Sequence, residues 1–169
     1  DAQSVFRRPP AGNKAILLDS RELEVKKLGI GAAQFDCALT SPPYATALPY
    51  IDTQRLSLVW LSLIAPAEIL PLEARLVGSR EVRGQSKREL LASLTANSAG
   101  LPPAQAKYCQ MLQAALSDED GFRRQAMPLL LYRYFAGMAQ VFRAMRPAMK
   151  DGAQFALIVG SNNKVLSGK

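Results

Sequence analysis

The apolar run Phe35 to Leu39, followed by Thr40 and then Ser41-Pro42-Pro43-Tyr44, constrains the fold of this chain more than any other stretch. Each proline lacks an N–H and has a fixed φ, so neither continues a strand ladder nor sits in an ordinary helix interior. Ser41, the residue before a proline, is pushed to extended backbone. A strand over 35–40 therefore ends in a stiff, open turn. That turn carries carbonyls without ladder partners, with an aromatic ring beside them. It suits a flat base with an exocyclic amino group: carbonyls accept the amino hydrogens while the ring stacks.

The flanking segments give this strand a setting. Residues 1–13, with Pro9-Pro10 and Gly12, read as an irregular lead-in. Ala15 to Leu18 reads as a short buried parallel strand ending at Asp19-Ser20. Arg21 to Leu28 follows as a short helix with Ser20 as N-cap, stopped by Gly29 and Gly31. Two apolar strands joined by a helical crossover are a βαβ pattern. Beyond the turn, Leu56, Val59, Trp60 and Leu63 recur at helical spacing within a helix expected over Asp52 to Ile64. Residues 68–122 read as a charged interruption, with helix over Lys87 to Thr95 and again from Pro102-Pro103 through Leu116.

Met127 to Met145 is the clearest helix, with an apolar stripe of Leu131, Tyr134, Phe135, Met138, Phe142 and Met145. Lys150-Asp151-Gly152 reads as a turn, and Gln154 to Val159 as a buried strand ending on Gly160-Ser161-Asn162-Asn163. The expectation is an α/β chain with a mostly parallel sheet flanked by helices. Ligands in such sheets collect beyond the carboxyl ends of the strands. That places Asp19-Ser20, Thr40 to Tyr44 and Gly160 to Asn163 along one rim. Asn162 and Asn163 need no role beyond the turn, and Trp60, Tyr132 and Tyr134 read as core or partly buried helix residues rather than stacking platforms.

Composition removes several chemistries. The chain has no histidine, and its two cysteines, Cys37 and Cys109, lack metal-ligand spacing, so a zinc site and a His-based hydrolase triad are not expected. Cys37, inside a strand, reads as a buried free thiol. No apolar run is long enough to span a bilayer, and Arg7-Arg8-Pro9-Pro10 leads into no signal-type core, so a cytoplasmic protein is expected. The net charge of +7 favours a polyanionic partner. Between Phe122 and Lys150, Arg123, Arg124, Arg133, Arg143, Arg146 and Lys150 meet no acidic residue. That asymmetry fits either a phosphate-facing surface or a solvated helix face whose counter-charges, Asp118 to Asp120 and Asp151, lie just outside.

The stretch Phe35-Asp36-Cys37-Ala38-Leu39-Thr40-Ser41-Pro42-Pro43-Tyr44 resembles the catalytic motif of the amino-methyltransferases. These enzymes use S-adenosylmethionine to methylate N4 of cytosine or N6 of adenine in DNA. Ile16-Leu17-Leu18-Asp19 is similar to the family's acidic-ended strand ahead of that motif. Tyr50-Ile51-Asp52 with Leu56 to Leu61 is similar to the helix after it in one bacterial branch. Met145 to Gly152 resembles a stretched form of the Pro-Gly-Gly turn common in class I methyltransferases, with Asp151 where a glycine often stands. These segments follow one another along the chain in the family's expected order.

The resemblance implies a partial Rossmann-like class I methyltransferase fold, one catalytic domain over 1–169 with a helical and loop insertion at about 68–122. It implies Ser41, Pro42, Pro43 and Tyr44 as catalytic residues, and Asp19, Ser20 and Thr40 as residues toward S-adenosylmethionine. Asp19 reads equally well as a cap for the following helix. Serine at the first motif position favours cytosine N4 over adenine N6, with DNA as partner and no metal. Residues 68–122 are the segment expected to select the target. The family's Gly-rich loop for the cofactor's methionine end is not found in 1–169, so a fragment of a larger enzyme or a degenerate copy is expected, binding the cofactor poorly. Two alternatives stand beside this: an RNA methyltransferase of the tRNA guanine N2 type, and a non-catalytic nucleic-acid-binding module.

Overall fold

Phe35–Thr40 forms strand β1, with the bounds that the apolar run and the prolines dictate. The computed structural model describes residues 15–29, 31–45, 50–80 and 84–160; the lead-in at 1–13 and Asn162 and Asn163 lie outside them. Strand β2, Met149–Leu157, pairs with β1 in parallel. Parallel strands need a long crossover, and 41–148 supplies it. That segment runs through α1 (Tyr50–Trp60), α2 (Ile69–Arg75), α3 (Gly84–Ala96), α4 (Pro103–Ala114) and α5 (Phe122–Met145). The described residues are thus α/β, with five α-helices and one two-stranded parallel sheet.

The register explains where β2 starts. Phe35 faces Met149, Cys37 faces Gln154 and Thr40 faces Leu157, so β2 carries extra residues between the first two pairs. Gly152, at φ +77°, takes the left-handed conformation inside this bulge. Lys150-Asp151-Gly152 is therefore a kink within the strand, not a turn ahead of it. Pairing outlasts the strand at its far end, where the Ile158 N–H donates to the Thr40 carbonyl at 2.9 Å.

Three expectations at this end of the chain are corrected. Ala15 to Leu18 forms no strand, and Leu17 is fully exposed. A short apolar run becomes a parallel strand only when a neighbour completes its ladder and both faces are covered. In place of a helix over 21–28 there is a 3-10 turn, Ser20–Glu22, capped by Asp19 rather than Ser20. A second turn follows, in which the Leu28 N–H donates to the Glu24 carbonyl at 3.2 Å. Cys37 is exposed, because nothing among the described residues covers its face of β1.

The core lies in the helical crossover. Leu94 of α3, Ala106 and Cys109 of α4, and Leu129 and Tyr132 of α5 pack together with Leu101. Pro103 opens α4 at a position where a missing N–H costs no helical bond. α5 begins at Phe122, earlier than expected, and runs through Pro128. Its buried residues, Leu129, Leu130 and Tyr132 among them, only partly coincide with the expected stripe. The α3–α4 connection is held by side chains. Asn97 takes φ +47° after α3, and its amide both donates to the Leu101 carbonyl (2.8 Å) and accepts the Leu101 N–H (3.1 Å). The Gln110 amide donates to the Leu94 and Thr95 carbonyls at the end of α3.

By contrast, α1 buries Ile51 and leaves its outer stripe uncovered by described residues. Trp60 is 80% exposed, which corrects its reading as a core or partly buried residue. No helix among the described residues is long and apolar enough to cross a membrane.

Two stability outcomes follow from this packing. The buried Tyr132 hydroxyl accepts the Ala99 N–H at 3.0 Å. Tyr132→Phe leaves that donor unpaired and should cost about 1–3 kcal/mol in urea unfolding. Leu94→Ala should cost about 2–5 kcal/mol. Burial also pushes the Cys109 thiol up to about 11, while Cys37 is open. A thiol reagent should label the folded chain once, and Cys37→Ser should remove that label.

Candidate functional site

Ser41 to Tyr44 leaves β1 at its carboxyl end and is held by four neighbours. The Ser41 hydroxyl donates to the Ile158 carbonyl at 3.3 Å, tying the turn to the continuation of β2. Pro42 is buried. Pro43 lies against Gly78: a Cβ there would stand 3.4 Å from the Pro43 Cβ and from the Tyr44 carbonyl oxygen, and Gly78 is at φ +85°. The Tyr44 N–H donates to the Tyr50 hydroxyl at the start of α1, at 2.8 Å. The Tyr44 phenol reaches Gly160, where a Cβ would lie 3.1 Å from its Oη and 3.2 Å from its Cζ.

The support under Gly78 comes from α5. Gly137 admits the Val77 side chain, whose Cγ2 would be 3.3 Å from a Cβ at that position. The Arg133 guanidinium donates to the Ser79 carbonyl. Both contacts fix the 77–79 segment against the helical core, and Gly78 passes that constraint to Pro43.

The rim expected from the sequence is partly assembled. Asp19, Ser20 and Pro43 line one cleft of about 620 Å³, together with Leu18, Tyr50 and Gln54. Ser41 and Thr40 stand on the β2 side, and the Thr40 carbonyl is taken by the Ile158 N–H. Tyr44 and Gly160 meet, as a shared rim requires. Tyr50, Gly78 and Gly160 are supporting residues to which the sequence assigns no such role. Their roles are tertiary contacts; the place of Gly160 on the expected rim and of Tyr50 at the head of the helix after the motif are the signals the sequence carries.

Asp19 is engaged locally. Its carboxylate accepts the Arg21 backbone N–H at 3.0 Å and the Arg21 Nε at 2.9 Å, while the same guanidinium donates to the Arg75 carbonyl at 2.8 Å. The Arg21 side-chain hydrogen bond, opposed by some desolvation, holds the Asp19 carboxyl down at about 2. The capping reading of Asp19 is therefore realised.

The basic run over 123–150 is largely used inside the chain. Arg124, Arg146 and Lys150 pair with Asp120, Asp151 and Asp36. Arg143 donates to the Gly100 carbonyl at 3.2 Å, as Arg133 does to Ser79. Of the two tyrosines expected to be core or partly buried, Tyr132 is fully buried and Tyr134 half-buried. No group of three or more metal-ligating side chains occurs among the described residues. Comparison with protein-family models, curated proteins and solved structures returns no match.

The Asp19 pair gives a pH dependence of definite sign. A carboxyl depressed from 3.8 to about 2 stabilises the fold above pH 4 and loses that contribution as pH falls toward 2. Asp19→Asn should unfold at a lower temperature than the parent near neutral pH, with the gap closing between pH 4 and pH 2. Thermal unfolding followed by circular dichroism checks this, and an unchanged gap at pH 2 would contradict it.

Proposed function

We propose that this chain presents the target-base half of an amino-methyltransferase site, acting on an exocyclic amino group of a DNA base, with cytosine N4 favoured over adenine N6. The observation that carries this reading is the state of the Ser41 hydroxyl. It donates to the Ile158 carbonyl at 3.3 Å, and with its hydrogen turned that way its lone pairs are left to accept from an incoming amino group. The Pro42 carbonyl follows directly in the chain, and Tyr44 stands two residues on with a partly exposed ring. A two-stranded parallel sheet with its turn at the strand's carboxyl end is compatible with part of a Rossmann-like fold.

In this reading the base is flipped out of its stack. Ser41 Oγ and the Pro42 carbonyl accept the two amino hydrogens and draw the nitrogen lone pair out of conjugation with the ring. Tyr44 stacks on the base and sets its plane, so that the nitrogen points along one direction.

S-adenosylmethionine would supply the methyl group as a sulfonium. The residues present fit it only in part. The cleft beside Pro43 lies within the usual ligand range of about 300–1,000 Å³, and Ser20 and Gln54 offer polar groups there. The Asp19 carboxylate, however, is closed by Arg21, and residues 1–169 hold no Gly-rich loop of the family's type. The engagement of Asp19 favours one second reading, a base-binding module without catalysis. The RNA alternative shares the same turn chemistry.

Two measurements test this. Binding of a short fluorescein-labelled oligodeoxycytidylate, followed by anisotropy, should weaken by about 1–3 kcal/mol in Tyr44→Ala. It should weaken by about 0.5–1.5 kcal/mol in Ser41→Ala. Transfer of tritiated methyl from S-adenosylmethionine to duplex DNA, with tRNA in parallel, then separates the readings. Label in DNA that Tyr44→Ala abolishes supports the enzyme, label in tRNA alone supports the RNA alternative, and binding without label supports the module. The absence of both binding and label would overturn the proposal.

A further inference from the structure

The two prolines stiffen the turn only as far as Pro43, and Tyr44 lies beyond them. A ring that sets the plane of a base must itself be set, or stacking loses its directional value. The structure supplies two constraints on Tyr44 that the prolines do not.

The first acts on its backbone. The Tyr50 hydroxyl accepts the Tyr44 N–H at 2.8 Å, which fixes the peptide plane ahead of the Tyr44 Cα and so the point from which the side chain departs. Tyr50 is well placed to hold still. It is the first residue of α1, is half-buried, and lines the cleft with Pro43 and Gln54. The second constraint acts on the ring. Gly160 faces the Tyr44 Oη, Cζ and Cε2, and a Cβ there would stand at 3.1, 3.2 and 3.6 Å from them. A Cβ at 160 would press on the phenol and shift it by a few tenths of an ångström, so the close fit of ring to backbone there depends on glycine. One end of Tyr44 is thus tied by its N–H and the other bears on β2's extension.

We propose that Tyr50 is a positioning residue for Tyr44, working with Gly160 to hold the ring in the single orientation in which it stacks on a target base. The inference rests on the base-binding reading above, and it adds two residues to that site. Tyr50 does not touch the base; it acts through the Tyr44 backbone. Gly160 acts through the space that it leaves.

The test uses the whole chain and the labelled oligodeoxycytidylate. Tyr50→Phe keeps the ring of residue 50 and removes the acceptor. Amide hydrogen exchange at Tyr44, read by NMR, should become at least about tenfold faster, and oligonucleotide binding should weaken by about 3- to 10-fold, as loss of one hydrogen bond predicts. Gly160→Ala should weaken binding while leaving Tyr44 amide exchange as it is, because it moves the ring and not the N–H.

The deciding measurement is a double-mutant cycle. Once Tyr44→Ala has removed the ring, adding Tyr50→Phe should change binding no further. A further loss in that background would mean that Tyr50 supports the fold generally, and would overturn the proposal. Unchanged Tyr44 exchange in Tyr50→Phe would overturn it as well. Failure of the reading beneath it looks different: the parent chain, or Tyr44→Ala against the parent, shows no effect on oligonucleotide binding, whatever the exchange data show.

Discussion

The parallel pairing of β1 with β2 is the contact on which the rest of the structure depends. It brings Thr40 beside Leu157 and continues through the Ile158 N–H to the Thr40 carbonyl. Because the ladder outlasts the strands, Ser41 finds the Ile158 carbonyl within reach of its hydroxyl, and Tyr44 finds Gly160. Residues more than a hundred positions apart meet at one point for that reason alone. Closing so long a loop costs little more than closing one half its length, since the entropy grows only with the logarithm of length. The sheet therefore tolerates a large crossover, provided the crossover stabilises itself.

It does so with its own core. Leu94, Leu101, Ala106, Cys109, Leu129 and Tyr132 join α3, α4 and α5, and the polar set of Asn97, Gln110 and Tyr132 closes the loop and helix end between them. The segment expected as a charged interruption thus contributes much of the buried apolar surface. Its rigidity reaches the turn through α5. Gly137 seats Val77, Arg133 holds Ser79, and Gly78 backs Pro43. A proline-rich turn is stiff in itself, but its position relative to β2 is set by this packing.

How much of this was legible in the sequence varies with the range of the interaction involved. β1 was read to the residue, because an apolar run and a Pro-Pro pair are local signals that agree. α3 and α4 were read closely, from Lys87 to Thr95 and from Pro103. α5 starts earlier than its expected stripe, because that stripe begins only at Leu131 while tertiary burial of Ala126, Pro128, Leu129 and Leu130 carries the helix back to Phe122. Ala15 to Leu18 was misread because nothing local distinguishes a strand from an extended run without a partner. Cys37 and Trp60 failed for the same reason: apolar periodicity reports a face to be covered and says nothing of whether it is. The motif residues Ser41 to Tyr44 were legible as chemistry, whereas their holders Tyr50, Gly78 and Gly160 act only once the chain is folded.

The charge of the chain has to be weighed against what its cations hold. Arg124, Arg146 and Lys150 meet carboxylates, so they add little to any outward field. Arg133 and Arg143 keep their charge, but their donors are directed at the backbone carbonyls of Ser79 and Gly100, where they fasten loops to α5. A phosphate approaching Arg133 or Arg143 would have to compete with bonds that the fold itself uses. Counterion release scales with the phosphates actually neutralised, not with formal charge. In the base-binding reading proposed above, recognition rests less on the basic run than on the turn at the end of β1. There a hydroxyl stands beside a carbonyl, and the tyrosine that follows has its backbone N–H bonded to Tyr50 and its phenol against Gly160.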